Sequence, residues 1–172
     1  MKFRPLIGDS ALLGLFDKYM TKYKQIGKLI TLNPKDTASK YLLDILAPFR
    51  GKHILVDFWS LSCMPCISDI QRSVDFRKSL KKYDNLQLVY ISDNYGRESE
   101  YKQFVDKYLN EEKTFRVSNI MSDYFRALFN FNAIPKTIEI LPDGRINIQS
   151  DIRIGGKFTS ESDIIKILNY SN

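Results

Sequence analysis

Apolar positions Leu12, Phe16, Tyr19, Tyr23 and Ile26 recur at helical spacing and predict an amphipathic helix over residues 10–30. A second helix is expected after Asn33-Pro34, a capping residue followed by a proline suited to a first turn. It carries Tyr41, Leu42, Ile45 and Leu46 and stops near Pro48. At Gly51 the pattern changes. Ile54-Leu55-Val56-Asp57-Phe58-Trp59 is almost continuously apolar, as in a strand covered on both faces. A long helix is expected from about Cys63 to Tyr83, with Ile67, Ile70, Val74 and Leu80 on one side. Leu86 to Ser92 reads as a second buried strand. Glu98 to Leu109 reads as a helix with Tyr101, Phe104, Val105 and Tyr108 inward, and Phe115 to Val117 as a short extra strand. Residues 120–130 form another expected helix, carrying Tyr124, Leu128 and Phe129. A strand from Thr137 to Leu141, a Pro142-Asp143-Gly144 turn and a hairpin partner from Arg145 to Ile148 follow. The last helix begins near Ser160, with Asp163 placed for a capping-box-like arrangement, and carries Ile164, Ile165, Ile167 and Leu168.

Strand–helix–strand–helix followed by a hairpin and a helix defines an α/β fold: a mixed sheet flanked by helices on both faces. The 172 residues suit one domain over 49–172, with residues 1–48 as an N-terminal helical arm packing on it. No apolar run reaches the length of about 18 residues that a membrane span needs. Met1-Lys2-Phe3-Arg4-Pro5 starts like a secretory leader, but the apolar stretch after it is short, contains Asp9 and meets no small-residue cleavage site. The chain therefore reads as cytoplasmic, or as one whose targeting segment is missing from this sequence.

The net charge of +6 is spread along the chain, which fits a solvated surface rather than a nucleic-acid track. Arg77, Lys78, Lys81 and Lys82 do cluster, at spacings that suit the wet side of a helix. Two cysteines and one histidine cannot supply the four ligands of a structural zinc site, nor a disulfide-rich scaffold. No metal site is expected.

The cysteines, Cys63 and Cys66, fall where a buried strand turns into a helix. Free N–H groups and the helix dipole there lower a thiol's pKa, and the thiolate is the nucleophile. Cys66 lies about one turn further on, and Pro65 stiffens the ring that a disulfide would close. The plainer alternatives are a static disulfide or two ordinary buried thiols. Asp57 interrupts the apolar strand, six residues before Cys63, and would lie beneath the cysteines. A carboxyl there with a raised pKa could accept the proton of Cys66; the alternative is a strand-end aspartate bonded to backbone. Pro135 precedes a strand. His53, the sole histidine, opens one and is given no role.

Val56-Asp57-Phe58-Trp59-Ser60-Leu61-Ser62-Cys63-Met64-Pro65-Cys66 resembles the active-site segment of the thioredoxin superfamily. Ala133-Ile134-Pro135-Lys136-Thr137 is similar to its cis-proline loop. Ile138 to Ile146 resembles the hairpin of the TlpA-like branch of bacterial thiol-disulfide oxidoreductases, whose insertion residues 94–119 would match. The resemblance spans about residues 48–170 and implies a thioredoxin-like sheet. It further implies a cis Ile134–Pro135 bond, Cys63 as nucleophile and Cys66 as resolving thiol. Trp59, Ser62, Met64, Pro65, Ile134 and Pro135 would form the substrate surface. The implied activity is reduction or exchange of protein disulfides by a monomer, with no cofactor beyond the redox-active Cys63–Cys66 pair and no nucleic-acid partner. An upstream thiol would donate electrons, and the site of work would be the bacterial periplasm or envelope. The chain departs from the pattern at Ser62, where an aromatic residue is usual, at Met64 for glycine and at Lys136 for threonine. Val89 and Tyr90 stand where thioredoxins place a lysine near the buried aspartate. Two other readings are a peroxidase, for which Ser60 could imitate the required threonine but no proline precedes it, and a non-catalytic binding module on the same fold.

Overall fold

A computed structural model describes residues 29–148, 150 and 152–169 of the chain. The helix expected over 10–30 lies outside them up to Lys28, and with it the first part of the N-terminal arm. Among the described residues no helix is long and apolar enough to cross a membrane.

The centre of the molecule is β1 (His53–Trp59), which pairs in parallel with β2 (Leu86–Ser92) and antiparallel with β4 (Lys136–Ile140). β3 (Lys113–Arg116) extends the sheet beyond β2, and β5 (Ile146–Asn147) beyond β4, giving the order β3-β2-β1-β4-β5. The helices are α1 (Thr37–Leu46), α2 (Met64–Arg72), α3 (Val74–Leu80), α4 (Glu98–Tyr108), α5 (Asn119–Leu128) and α6 (Glu161–Asn169). This is the expected mixed sheet with helices on both faces.

Because side chains alternate along a strand, β1 sends two sets of residues in opposite directions. Ile54, Val56 and Phe58 enter a layer with Leu42 and Leu46 of α1 and Phe125 of α5. There the Phe58 ring centroid lies 5.6 Å from Phe125, 5.9 Å from Phe129 and 5.1 Å from Phe131. Leu55 and Trp59 enter the other layer with Cys63, Cys66, Ile70, Ile154 and Ile164.

Several local expectations are corrected. α1 is capped by Asp36, whose Oδ2 accepts the Ser39 N–H at 2.7 Å; Asn33 instead turns the chain just before, accepting from Lys35 N–H at 3.0 Å. The single helix expected over 63–83 breaks at Ser73 (φ −95°, ψ 8°). The Asp69 carbonyl takes both the Ser73 N–H at 3.1 Å and Ser73 Oγ at 2.7 Å, while Arg77 Nη1 takes the Ile70 carbonyl at 2.7 Å, the acceptor that a continuous helix would offer to the Val74 N–H. Arg77 is not on the wet side: it is 2% exposed. It also donates to the Tyr108 carbonyl, with Nε 3.4 Å from Glu112 Oε1 and its guanidinium over the Tyr90 ring. Lys78, Lys81 and Lys82 are exposed. On α5 the inward residue is Phe125 rather than Tyr124, which is exposed. His53 is buried and lies 2.6 Å (Nε2) from Glu139 Oε1, whose other oxygen accepts from Asn147 Nδ2 at 2.9 Å.

Candidate active site

β1 ends at Trp59 and a short turn leads into α2. The Cys63 N–H bonds the Ser60 carbonyl at 3.1 Å, and the Ser62 N–H bonds Ser60 Oγ at 3.2 Å. Cys63 is the capping residue of α2, with extended backbone (φ −93°, ψ 91°) and its Sγ accepting the Cys66 N–H at 3.2 Å. The helix N-terminus is thus aimed at this sulfur, the arrangement that favours a thiolate. Pro65 occupies the first turn, where its missing N–H costs nothing. Cys63 and Cys66 form a disulfide with a Cα–Cα separation of 5.3 Å. Cys63 is 9% exposed and Cys66 2%, so Cys63 is the more accessible of the two sulfurs.

The Ile134–Pro135 bond is cis, as the resemblance implies, and Cys63 Sγ lies 3.6 Å from the Ile134 carbonyl oxygen. Ser62, Met64 and Pro65 are exposed beside the sulfur, and Ile134 and Pro135 are half-buried. Trp59 does not join this surface. It is 1% exposed and packs its ring against Tyr101 (5.9 Å) and Phe104 (5.2 Å), because its position on β1 points it into the core beneath α4.

Asp57 lies between Leu55 and Trp59 on the strand face that carries the disulfide, opposite Thr137 on β4 and Tyr90 on β2. The residue is half-buried, but its Oδ1 is shut away from solvent and has no hydrogen-bond partner among the described residues. Thr137 Oγ1, Trp59 Nε1 and Ser92 Oγ are in the same condition. Burial pushes the Asp57 carboxyl up to about 7, helped by the Asp69 carboxylate and opposed by Arg153 and Arg77. Burial likewise raises Tyr90.

Three of these groups escaped sequence reasoning. Asp69 lies three residues beyond Cys66 on the inner side of α2, buried, with Oδ1 accepting from Arg72 Nη2 at 2.5 Å and Oδ2 from Arg153 Nε. The inward stripe Cys66, Asp69, Ile70, Ser73 did carry a signal, a polar residue where an apolar one belongs. Arg77 and Arg153 had no local signal, because their partners lie on other segments.

Residues 93–97 pack against Leu61, in the turn that leads to Cys63. Gly96 adopts φ +80° and passes so near Leu61 that a Cβ would lie 3.1 Å from Leu61 Cδ1. Arg116 donates to the Gly96 carbonyl at 2.8 Å and the Tyr95 carbonyl at 3.2 Å, while the Asn94 N–H bonds Asn119 Oδ1 at 3.2 Å. Tyr95 and Ile120 are left exposed there.

A thioredoxin-like family model matches residues 51–146, which include the cysteine pair, Asp57 and the cis-proline loop. The thiol-disulfide oxidoreductase ResA of Oceanobacillus iheyensis is 28% identical over 101 residues, covering 59% of this chain and 50% of ResA. The match therefore spans about half the length of that curated relative. Among solved structures, the thioredoxin domain of a thiol-disulfide oxidoreductase from Bacteroides vulgatus has a TM-score of 0.55 at 17% identity, covering 74% of this chain and 84% of that one. A thiol:disulfide interchange protein from Chlorobium tepidum also has a TM-score of 0.55, at 20% identity, over 73% of this chain and 83% of its own. Both show the likeness of fold, and since the family match takes in more than half of the sequence, this chain belongs to the thioredoxin-like family.

Proposed function

We propose that the protein is a thiol–disulfide oxidoreductase of the TlpA-like kind that reduces or exchanges disulfides in other proteins. The observation that carries this reading is the placement of the two sulfurs: Cys63 capping α2 beside a cis proline, and Cys66 buried one turn inside. The Cys63 thiolate attacks one sulfur of a substrate disulfide; a mixed disulfide forms and the other substrate sulfur leaves as a thiolate. Cys66, giving its proton to Asp57, then attacks Cys63. The second substrate sulfur leaves, and the enzyme pair becomes the disulfide. Two electrons pass from the dithiol to the substrate, and an upstream thiol donor restores them. A carboxyl titrating at about 7 is matched to a proton exchange near neutrality. The half-buried Ile134–Pro135 segment, beside Cys63, would align the substrate backbone as an added strand. The resemblance to the TlpA-like branch favours the periplasm or cell envelope as the site of this work.

The test is an insulin-reduction assay with dithiothreitol as donor, together with capture by Cys66→Ser. The reading expects turnover by the native chain, and stable adducts on Cys63 in the variant. No turnover and no adducts would leave only a binding module, and adducts on Cys66 in Cys63→Ser with none in the converse variant would reverse the two roles.

A further inference from the structure

We propose that Arg153 is a positioning residue of this active site: its clamp on Asp69 fixes the charge that Asp57 meets beneath the disulfide. The inference rests on the proton step assigned above and extends it to a segment far away in sequence.

The clamp is built in. Arg153 stands between Ile152 and Ile154, both buried in the layer that holds Leu55 and Cys66. The next residue, Gly155 (φ +80°), lies against α2 so closely that a Cβ would fall 2.2 Å from the Asp69 carbonyl oxygen and 2.8 Å from Ser73 Cβ. The loop closes on itself, with Phe158 N–H and Gly156 N–H bonding the Arg153 carbonyl and Gly155 N–H bonding that of Phe158, each at 3.0 Å. Arg153 Nε therefore reaches Asp69 Oδ2 from a backbone pressed on the same turn of helix.

The charged and titratable groups on the elements packed around Asp57 can be named. β1 contributes His53 further along the same face, β2 contributes Tyr90, and β4 contributes Glu139. α2 contributes Cys66, Asp69 and Arg72, and α3 contributes Arg77 with Glu112 beside it. Arg153 comes from the loop before α6. Arg77 is built into the fold by two carbonyls. Arg72, 61% exposed, holds the other oxygen of Asp69; of the two cations that act on Asp57 itself, Arg77 and Arg153, Arg153, with its side chain 35% exposed, is the one removed with less disturbance. Asp69 acts on Asp57 as a like charge and Arg153 as an opposite one.

A purely structural ion pair and this electrostatic clamp make different predictions. Breaking a structural pair from either side gives the same kind of loss. Here Arg153→Met removes a cation and leaves Asp69 less neutralised, so Asp57 holds its proton to higher pH; Asp69→Asn removes the repelling anion and does the opposite. The experiment follows the Asp57 carboxyl by carbon-13 NMR across pH 5–9 (a window about the ordinary neutral range). It pairs this with stopped-flow resolution of the mixed disulfide, in the native chain, both variants and Arg153→Lys. The carboxyl midpoint should rise by roughly one unit in Arg153→Met and fall by roughly one unit in Asp69→Asn, the low end of a near-charge effect. Arg153→Lys should stay close to the native value. Resolution at pH 7 should then slow roughly fivefold in Arg153→Met and rise less than about twofold in Asp69→Asn, as the ionised fraction dictates. Midpoints that move in one direction in both variants, or in neither, overturn the proposal. Opposite midpoint shifts with an unmoved rate profile support the clamp and remove the proton step from Asp57.

Discussion

The two faces of β1 are one strand's worth of sequence and two kinds of interior. Ile54, Val56 and Phe58 look into a layer of leucines, isoleucines and phenylalanines, tied together by ring contacts, with charge only at its margin, where Lys136 stands opposite Phe58 and Arg126 lies over the Phe131 ring. Leu55, Asp57 and Trp59 look into a layer that holds a disulfide, two buried carboxylates and the guanidinium of Arg77. The apolar face contributes stability through area removed from water and close packing. The other face gives up part of that contribution, since a buried polar group must be partnered or destabilises the fold. Asp69, Arg77 and His53 are partnered; Asp57 Oδ1, Thr137 Oγ1 and Trp59 Nε1 are not. These three lie on the disulfide's side of the sheet, while on the other side Ser39 Oγ of α1 is also buried without a partner.

Substitutions can break that contrast in turn. The largest effect belongs to Cys63→Ser, which should abolish disulfide turnover in the insulin assay while the urea-unfolding midpoint changes little. A comparable loss of folding would mean that the pair is structural. On the opposite face, Phe125→Ala should cost about 3–5 kcal/mol, the range for a buried phenylalanine, read by urea unfolding. The fraction still folded should keep its redox behaviour; a change there would mean that the two layers are coupled through β1.

Asp57→Asn tests the boundary between the faces. The native carboxyl titrates at about 7 rather than at 3.8, so the folded chain keeps a proton that the unfolded chain has released. Native stability should accordingly be lost as pH rises from about 4 through about 7, and stay level above that. Asp57→Asn removes the slope and should gain on the order of a few kcal/mol at pH 8, with no gain below pH 4. Parallel stability curves for the two chains would refute the raised titration. The same variant should form the mixed disulfide at the native rate and resolve it more slowly. The smallest effect is expected from Asp36→Ala, which removes the cap of α1 and should cost about 1 kcal/mol in unfolding while leaving turnover unchanged.

The strands and the cysteine pair could be read from the sequence because their signals are local. A continuous apolar run defines β1, and the thiols follow it at helical spacing. The hairpin was marked by its turn residues. What escaped was set by distant partners. Arg77 has the spacing of a solvated lysine cluster, and only the Tyr108 carbonyl and Glu112 explain its burial. Nothing near Arg153 points to Asp69, which precedes it by 84 residues. The break at Ser73 depends on which carbonyls two side chains take, and periodicity carries no trace of that. The resemblance implies a surface place for Trp59; the alternation of the strand turns it the other way.

The end of the sheet raises a matter of cohabitation with other copies. Ile30 exchanges both backbone hydrogen bonds with Ile146, at 2.9 and 2.8 Å, and so lies along the free side of β5 as a single-residue strand. The opposite margin, β3, is four residues long and bears Lys113 and Arg116. Short, charged or covered margins are what keep sheets from joining edge to edge. A second copy seeking to extend this sheet would have to displace Ile30 at one margin or bring its own lysine against Lys113 at the other, so neither margin invites a further strand.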